Sequence, residues 1–404
     1  MTYLSDLKAY LSAREDAMVE LLGRLVRAES PSVVPDAQRG VQALLTEALE
    51  ELDFVVHHLP GRGRSGGHLY ARPRQRRRHH PAQLLLGHSD TVWPLGTLAR
   101  MPFSVEGRIV RGPGVFDMKA GLAQMVFALR ALRALHLTPP LTPVVFVNSD
   151  EEINSIESMP HLLRLARRVQ RAYVLEPALG PEGRLKTARK GTGHYTVRVT
   201  GRSAHAGLAP ERGASAILAL AHLIVQLHGL SDPASGITIN VGRIRGGTRA
   251  NVVAAESEAE VDVRVSTRAD AQRLDALIRA LETTVPGTRV SVEGEMDRPP
   301  MERTPRNRAL WAAARETAAA LGLDVREAAA GGASDGNLTS LYTATLDGLG
   351  AVGDGAHADH EHIQLDRLVE RTVLLAALLM MPPTPPAPAE ARPAGHATSV
   401  ARTA

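Results

Sequence analysis

The stretch Gln83-Leu84-Leu85-Leu86-Gly87-His88-Ser89-Asp90 runs from an apolar segment straight into a histidine and a carboxylate. It reads as a strand whose C-terminal end carries polar ligands. Four further segments share that character: Gly112-Pro113-Gly114-Val115-Phe116-Asp117-Met118-Lys119-Ala120-Gly121, Val144-Val145-Phe146-Val147-Asn148-Ser149-Asp150-Glu151-Glu152, Ala172-Tyr173-Val174-Leu175-Glu176-Pro177 and Gly355-Ala356-His357-Ala358-Asp359-His360-Glu361. Four of the five follow strand-like runs. Open α/β sheets bind ligands outside the carboxyl ends of their strands, so one pocket could gather all five.

Working outward, residues 5–28 and 38–52 carry apolar residues at helical spacing. Short strands follow at 54–58, 68–71 and 83–86, then a helix over 121–135, a strand over 143–148, a helix over 155–168 and a strand over 172–175. Alternation of this kind predicts a doubly wound, mostly parallel α/β sheet. The pattern changes near Gly191. Strands at 195–200, 237–243, 258–265 and 289–294, with helices at 214–227 and 269–284, give the order β-α-β-β-α-β of a ferredoxin-like α+β unit. The expected organisation is a discontinuous catalytic domain, 1–190 and 299–381, an inserted domain, 191–298, and a disordered tail, 382–404, dense in Pro, Ala and Thr.

Composition narrows the chemistry. The 404 residues include no cysteine, which removes disulfides, thiolate nucleophiles and cysteine metal sites. A metal would have to be held by carboxylates and by some of the 16 histidines. No apolar run approaches the ~20 residues that span a bilayer, and the first residues lack the apolar core of a secretory signal, so a cytoplasmic protein without membrane contact is expected. The basic run Arg72–His80 contains no aromatic residue, and aromatics are 3% of the chain. Nucleic-acid binding would want basic residues interleaved with stacking rings, so this run is expected to be a solvated hairpin loop.

Motif by motif, His88 and Asp90 are two apart and can point the same way from a strand end. A ligating histidine usually needs a carboxylate partner. Asp117 sits between a Gly-Pro-Gly turn and a helix, where one carboxylate can offer two oxygens to two metals. Glu151 and Glu152, on extended backbone, would face opposite sides, one to hold metal and one to polarise water. His357, His360 and His362 crowd one short segment, any of them a possible ligand.

Taken in order, these motifs, with Gly201-Arg202-Ser203-Ala204-His205-Ala206-Gly207 and Gly331-Gly332-Ala333-Ser334-Asp335, resemble the M20 family of dinuclear zinc peptidases and deacylases, most of all its glutamate carboxypeptidase (carboxypeptidase G2)-like branch. The resemblance runs from about residue 10 to residue 380. It implies two zinc ions per chain, cobalt or manganese being possible substitutes. His88 and Glu176 would bind one, Glu152 and His357 the other, and Asp117 would bridge. Asp90 would orient His88, and Glu151 would be the general base. His357 is selected because it stands after Gly-X, four residues before Glu361. Family members often have a cis peptide after the bridging aspartate, here Asp117-Met118.

The resemblance also implies a homodimer through the inserted lid, with His205 reaching the partner's site to stabilise an oxyanion. Asn251, Arg264, Arg298 and Ser334 match substrate-side positions, the arginines as a clamp for a carboxylate. Two departures stand out: Asn154 replaces a family glycine, and Phe116 and Met118 add bulk beside Asp117. The expected activity is hydrolysis of an amide that releases a C-terminal amino acid, glutamate first, from a small N-acyl amino acid or peptide. The alternatives are an N-acyl amino acid deacylase of the acetylornithine or succinyl-diaminopimelate type, and a non-catalytic metal-binding paralogue, against which Glu151 argues.

Overall fold

A computed structural model describes residues 2–75 and 80–383. Its main sheet has six strands in the spatial order Phe54–Leu59, His68–Pro73, Thr142–Asn148, Ala82–His88, Arg171–Val174 and Ala344–Leu346. The last four run parallel, and the first two are antiparallel to their neighbours. Ala82–His88 is central, hydrogen-bonded to Thr142–Asn148 on one side and Arg171–Val174 on the other. The chain leaves it for one flank and returns to the other, so a crevice opens at its carboxyl end.

Both faces of this sheet are covered. Leu85, Val145, Val147 and Tyr173 join the core beneath the helices Thr2–Ser12, Glu15–Arg27, Ala120–Ala134 and Leu365–Leu379. Leu84, Leu86, Val144, Phe146 and Val174 point the other way, onto Leu162 and Leu338. Each fully buried side chain of this size contributes roughly 1.5–3 kcal/mol, so the strand ends that carry the polar residues are anchored from both sides. Gly121 allows the closest approach: a Cβ there would meet the carbonyl oxygen of Leu175 at 2.2 Å, which lets the helix Ala120–Ala134 seat directly on a strand end.

Residues 191–298 build a separate antiparallel sheet, in the order Thr238–Gly246, Glu256–Val265, Gly191–Thr200 and Arg289–Arg298. The helices Ala216–His228 and Arg268–Arg279 pack on one face around Val197, Leu220, Leu223, Val261 and Leu274. The elements follow the order β-α-β-β-α-β.

Several expectations are corrected. The tract 5–28 is two helices, broken at Ala13 and Arg14. The second helix of 191–298 ends at Arg279 rather than 284. The basic run does not cap a hairpin, because Thr142–Asn148 lies between the strands that flank it; residues 76–79 of that run lie outside the described residues, as does 384–404 of the tail. The final helix, Leu365–Leu379, carries charged residues in its first half and is continuously apolar from Val373 to Leu379. No helix among the described residues is long and apolar enough to cross a membrane.

Candidate active site

Three parallel strands deliver polar residues to one crevice. His88 ends its strand with its ring buried, and its Nδ1 lies 3.0 Å from the carbonyl oxygen of Asp90. A carbonyl only accepts, so Nδ1 carries a proton, and Nε2 is the ring atom turned toward the carboxylates. Nε2 faces Asp117 Oδ1 at 3.2 Å and Glu176 Oε1 at 3.5 Å. The second imidazole, His357, places Nε2 3.1 Å from Glu152 Oε2 and 3.5 Å from Asp117 Oδ2. Asp117 therefore offers one oxygen to each histidine.

Imidazole nitrogens and carboxylate oxygens converge here, and Arg189 is the cation that meets Glu176 at 3.1 Å. The same crowding shifts the pKa values of these groups. Burial opposes charge on His88, yet Asp117, Asp90 and Glu176 outweigh it and raise its pKa well above the ordinary value. Asp117 and then Glu152 raise His357 to about 10. Burial and the charge of Asp117 push Glu152 up to about 7, against the pull of His357. Burial is the main cause that lifts Glu151 well above the carboxylate range, only partly countered by Arg298.

Local backbone explains the placement. Gly114 adopts φ +73°, a region open to glycine, and turns the chain into Asp117. The Asp117-Met118 peptide is cis. Glu151 and Glu152 do not lie on extended backbone; they begin a 3-10 turn, Glu151–Ile153. Asn154 follows with φ +74°, so this asparagine takes the left-handed conformation its position requires. Asp90 is fully buried beneath that turn and accepts the amides of Glu151 and Glu152 at 3.3 and 3.1 Å. It also stands 3.5 Å from His88 Nδ1.

One ligand atom from each of His88, Asp117 and Glu152 falls within 4.8 Å of the others, and so does one from each of His88, Glu151 and Glu176. The donors are imidazole nitrogens and carboxylate oxygens, a set that suits zinc or a neighbouring first-row divalent ion. Nitrogen and oxygen atoms facing one another across 3.1–3.5 Å are the arrangement such an ion would complete.

The remaining expected residues divide. His205 is exposed on 191–298, and its Nδ1 accepts the amides of Gly207 and Leu208, each at 3.2 Å. Its proton is thereby held on Nε2. Asn251 is also exposed and accepts the Ala206 amide through its carbonyl, so it lies beside His205 on the same turn. Among the described residues, neither is hydrogen-bonded to the five converging side chains. Arg264 is engaged by Asp262 through two bonds of 2.9 Å, so its fork is already occupied. Arg298 is buried against Asp335 at 3.1 Å, Ser155 at 2.8 Å and Glu151 Oε1 at 3.5 Å; it holds protein groups rather than an open cleft. Ser334 is buried too, donating to Asp347 and capping the helix Asp335–Thr339, so it lines no cleft.

With this geometry in place, comparison with known proteins is direct. Residues 84–381, well over half of the chain, match the peptidase family M20/M25/M40. The chain belongs to that family. It is a hydrolytic enzyme. Carboxypeptidase G2 of Pseudomonas sp. (strain RS-16) is 27% identical over 378 residues, covering 91% of this chain and 89% of the relative. Succinyl-diaminopimelate desuccinylase of Stenotrophomonas maltophilia (strain R551-3) is 28% identical, covering 89% and 96%. The aminopeptidase PepT of Bacillus cereus shares the fold, with TM-score 0.78 at 22% identity, covering 92% of this chain and 98% of that one.

Within this site, sequence reading missed the residues that hold the converging loops. Glu361 accepts four bonds, from Trp93 Nε1 and the amides of Gly114, Phe116 and Asp117, at 2.7–3.0 Å. It locks the Asp117 turn to the loop of His357. Arg189 donates to Glu176 at 3.1 Å and to Asp347 at 2.7 Å. Glu361 carried a signal, its spacing from His357; Arg189, in a strand of mixed polarity, carried none.

Proposed function

We propose that the chain hydrolyses the amide bond of a small N-acyl amino acid or peptide, releasing a C-terminal amino acid. The observation that carries this is Asp117, standing between His88 and His357 with one oxygen toward each. His88, Glu176 and Asp117 would hold one zinc ion, and Glu152, His357 and Asp117 the other. Two such ions, when bound, lower the pKa of water and polarise the scissile carbonyl.

The protein's own share is proton handling and placement. Glu151 takes the proton of the attacking water and returns it to the leaving amine, as base and then acid. Its burial supports this, because a carboxylate lifted above its usual range holds a proton long enough to pass it on. Arg298 stands at Oε1, which leaves Oε2 to carry the proton. Asp90 fixes the His88 ring and the amides of the Glu151 turn together.

The lid and dimer reading draws support from 191–298. Among the described residues the strand Thr238–Gly246 pairs on one side only, an open edge that a second copy could extend across a two-fold. Leu208, Leu218, Val225 and Ile244 of this unit are exposed, from 50% to 82%. His205, with its proton on Nε2, is a ready donor to an oxyanion in the partner's cleft.

Glutamate is the favoured leaving group, supported by the likeness to carboxypeptidase G2 and the net charge of +4. Recognition of its carboxylate falls to Arg264, which would exchange Asp262 for substrate; Arg298 is committed to Glu151. The test compares zinc-loaded protein on an N-acyl glutamate, its α-amide and the matching N-acyl phenylalanine. Faster release from the acid supports the reading. Equal rates for acid and amide remove carboxylate recognition, and a faster phenylalanine substrate removes glutamate. A second reading, N-acyl amino acid deacylation, is favoured by the desuccinylase match over 96% of that relative; higher turnover of N-succinyl-diaminopimelate or N-acetylornithine than of N-acyl glutamate would select it.

A further inference from the structure

The N-terminal segment Ala28–Gln38 touches the loops that follow His88 and Asn148 and the turn that carries Asp117. Lys119 Nζ, almost fully buried, donates to the Ala28 carbonyl at 2.9 Å, which ties the segment to the Asp117 turn. Ser30 Oγ donates to the Ser89 carbonyl at 2.6 Å, between His88 and Asp90. Gln38 Nε2 donates to the Ser149 carbonyl at 3.0 Å, just before the Glu151 turn. Pro31 and Thr91 form a parallel bridge. Only one of these contacts reaches a carboxylate: Ser32 Oγ donates to Asp90 Oδ2 at 2.7 Å.

That bond is the shortest that Asp90 receives. Its Oδ1 faces His88 Nδ1 at 3.5 Å and the Glu151 amide at 3.3 Å; its Oδ2 takes the Glu152 amide at 3.1 Å and Ser32. Asp90 is 0% and Ser32 3% exposed. Bulk water does not reach this pair. Without it the carboxylate keeps only long contacts and gains freedom about its Cβ–Cγ bond, and the His88 ring and the Glu151–Glu152 turn move with it.

We infer that Ser32 is a positioning residue for the metal centre, acting through Asp90 on His88 and Glu152. This rests on the reading of those two as ligands. Partners of this kind are typically worth 10–100-fold in metal affinity.

The test is zinc affinity, read by competition with a chromophoric chelator, for the full chain and for Ser32→Ala, Asp90→Asn and the double variant, with the metal-free melting temperature of each. The expected result is a 10–100-fold weaker zinc affinity in Ser32→Ala, a metal-free melting temperature within a few degrees of the parent, and little further loss when Ser32→Ala is added to Asp90→Asn. Equal loss in both backgrounds overturns the inference, since Ser32 would then act independently of Asp90. So does an unchanged affinity in Ser32→Ala, or a loss that only tracks a lower metal-free melting temperature. If the parent chain binds no zinc, the ligand reading falls together with this one.

Discussion

Arg298 lies 3.5 Å from the carboxylate of Glu151 and 3.1 Å from that of Asp335, with its side chain only 3% exposed. It ends the last strand of 191–298 and so sits where the chain leaves that unit for the helix Pro305–Ala320. One guanidinium thus fixes the proposed base and the re-entry of the chain at once.

Removing it should leave Asp335 buried and unpaired. Arg298→Met is expected to destabilise the fold by about 3–5 kcal/mol, the usual effect of breaking a buried ion pair from one side, and to lower kcat. Chemical denaturation and steady-state kinetics measure both. A variant of normal stability and kcat with a raised KM would make Arg298 a substrate clamp instead.

The two glutamates of the 3-10 turn should separate cleanly. Glu151→Gln is expected to retain zinc and to lose turnover by a factor on the order of 10²–10⁴, whereas Glu152→Gln should lose zinc first. Elemental analysis beside single-turnover kinetics decides between the roles, and the reverse pattern would exchange them.

Much of this was legible in the chain. The strand runs at 83–86, 143–148 and 172–175 set the sheet and the edge that collects His88, Glu151, Glu152 and Glu176, because apolar β-runs broken by polar residues leave few alternatives. What the sequence hid is long-range pairing. Ser32 and Asp90 are 58 residues apart, and Glu361 and Trp93 are 268 apart; no periodicity encodes such contacts. Arg264 and Arg298 show the same limit. A buried or paired guanidinium is indistinguishable from a free one until its partners Asp262 and Asp335 are placed.

The proposed dimer gives a prediction about surface residues. Val225→Glu and Ile244→Glu, at positions 74% and 64% exposed, should leave the monomer folded and shift sedimentation toward it, with a parallel fall in kcat. His205→Ala should lower kcat while the dimer persists. Full activity in a monomeric variant would detach His205 from the chemistry.

His194 supplies a pH test on 191–298. Its ring is bonded to Asp297, with Asp262 on the far side, and the bond to Asp297 raises its pKa despite partial burial. A raised histidine stabilises the fold fully below its ordinary value of about 6.5, and that stability is lost as pH rises through the higher folded value. The ring is 54% exposed, so the effect should not exceed about 1 kcal/mol. The melting-temperature gap between the parent and His194→Gln should narrow above neutral pH; a gap that widens there contradicts the pairing.

The central claim is a two-metal centre built on Asp117. Anomalous diffraction from crystals of the zinc-reconstituted protein tests it most directly. Two peaks about 3.5–4 Å apart, with Asp117 between them, His88 and Glu176 on one and Glu152 and His357 on the other, are predicted. A single peak, or two that do not share Asp117, would contradict it.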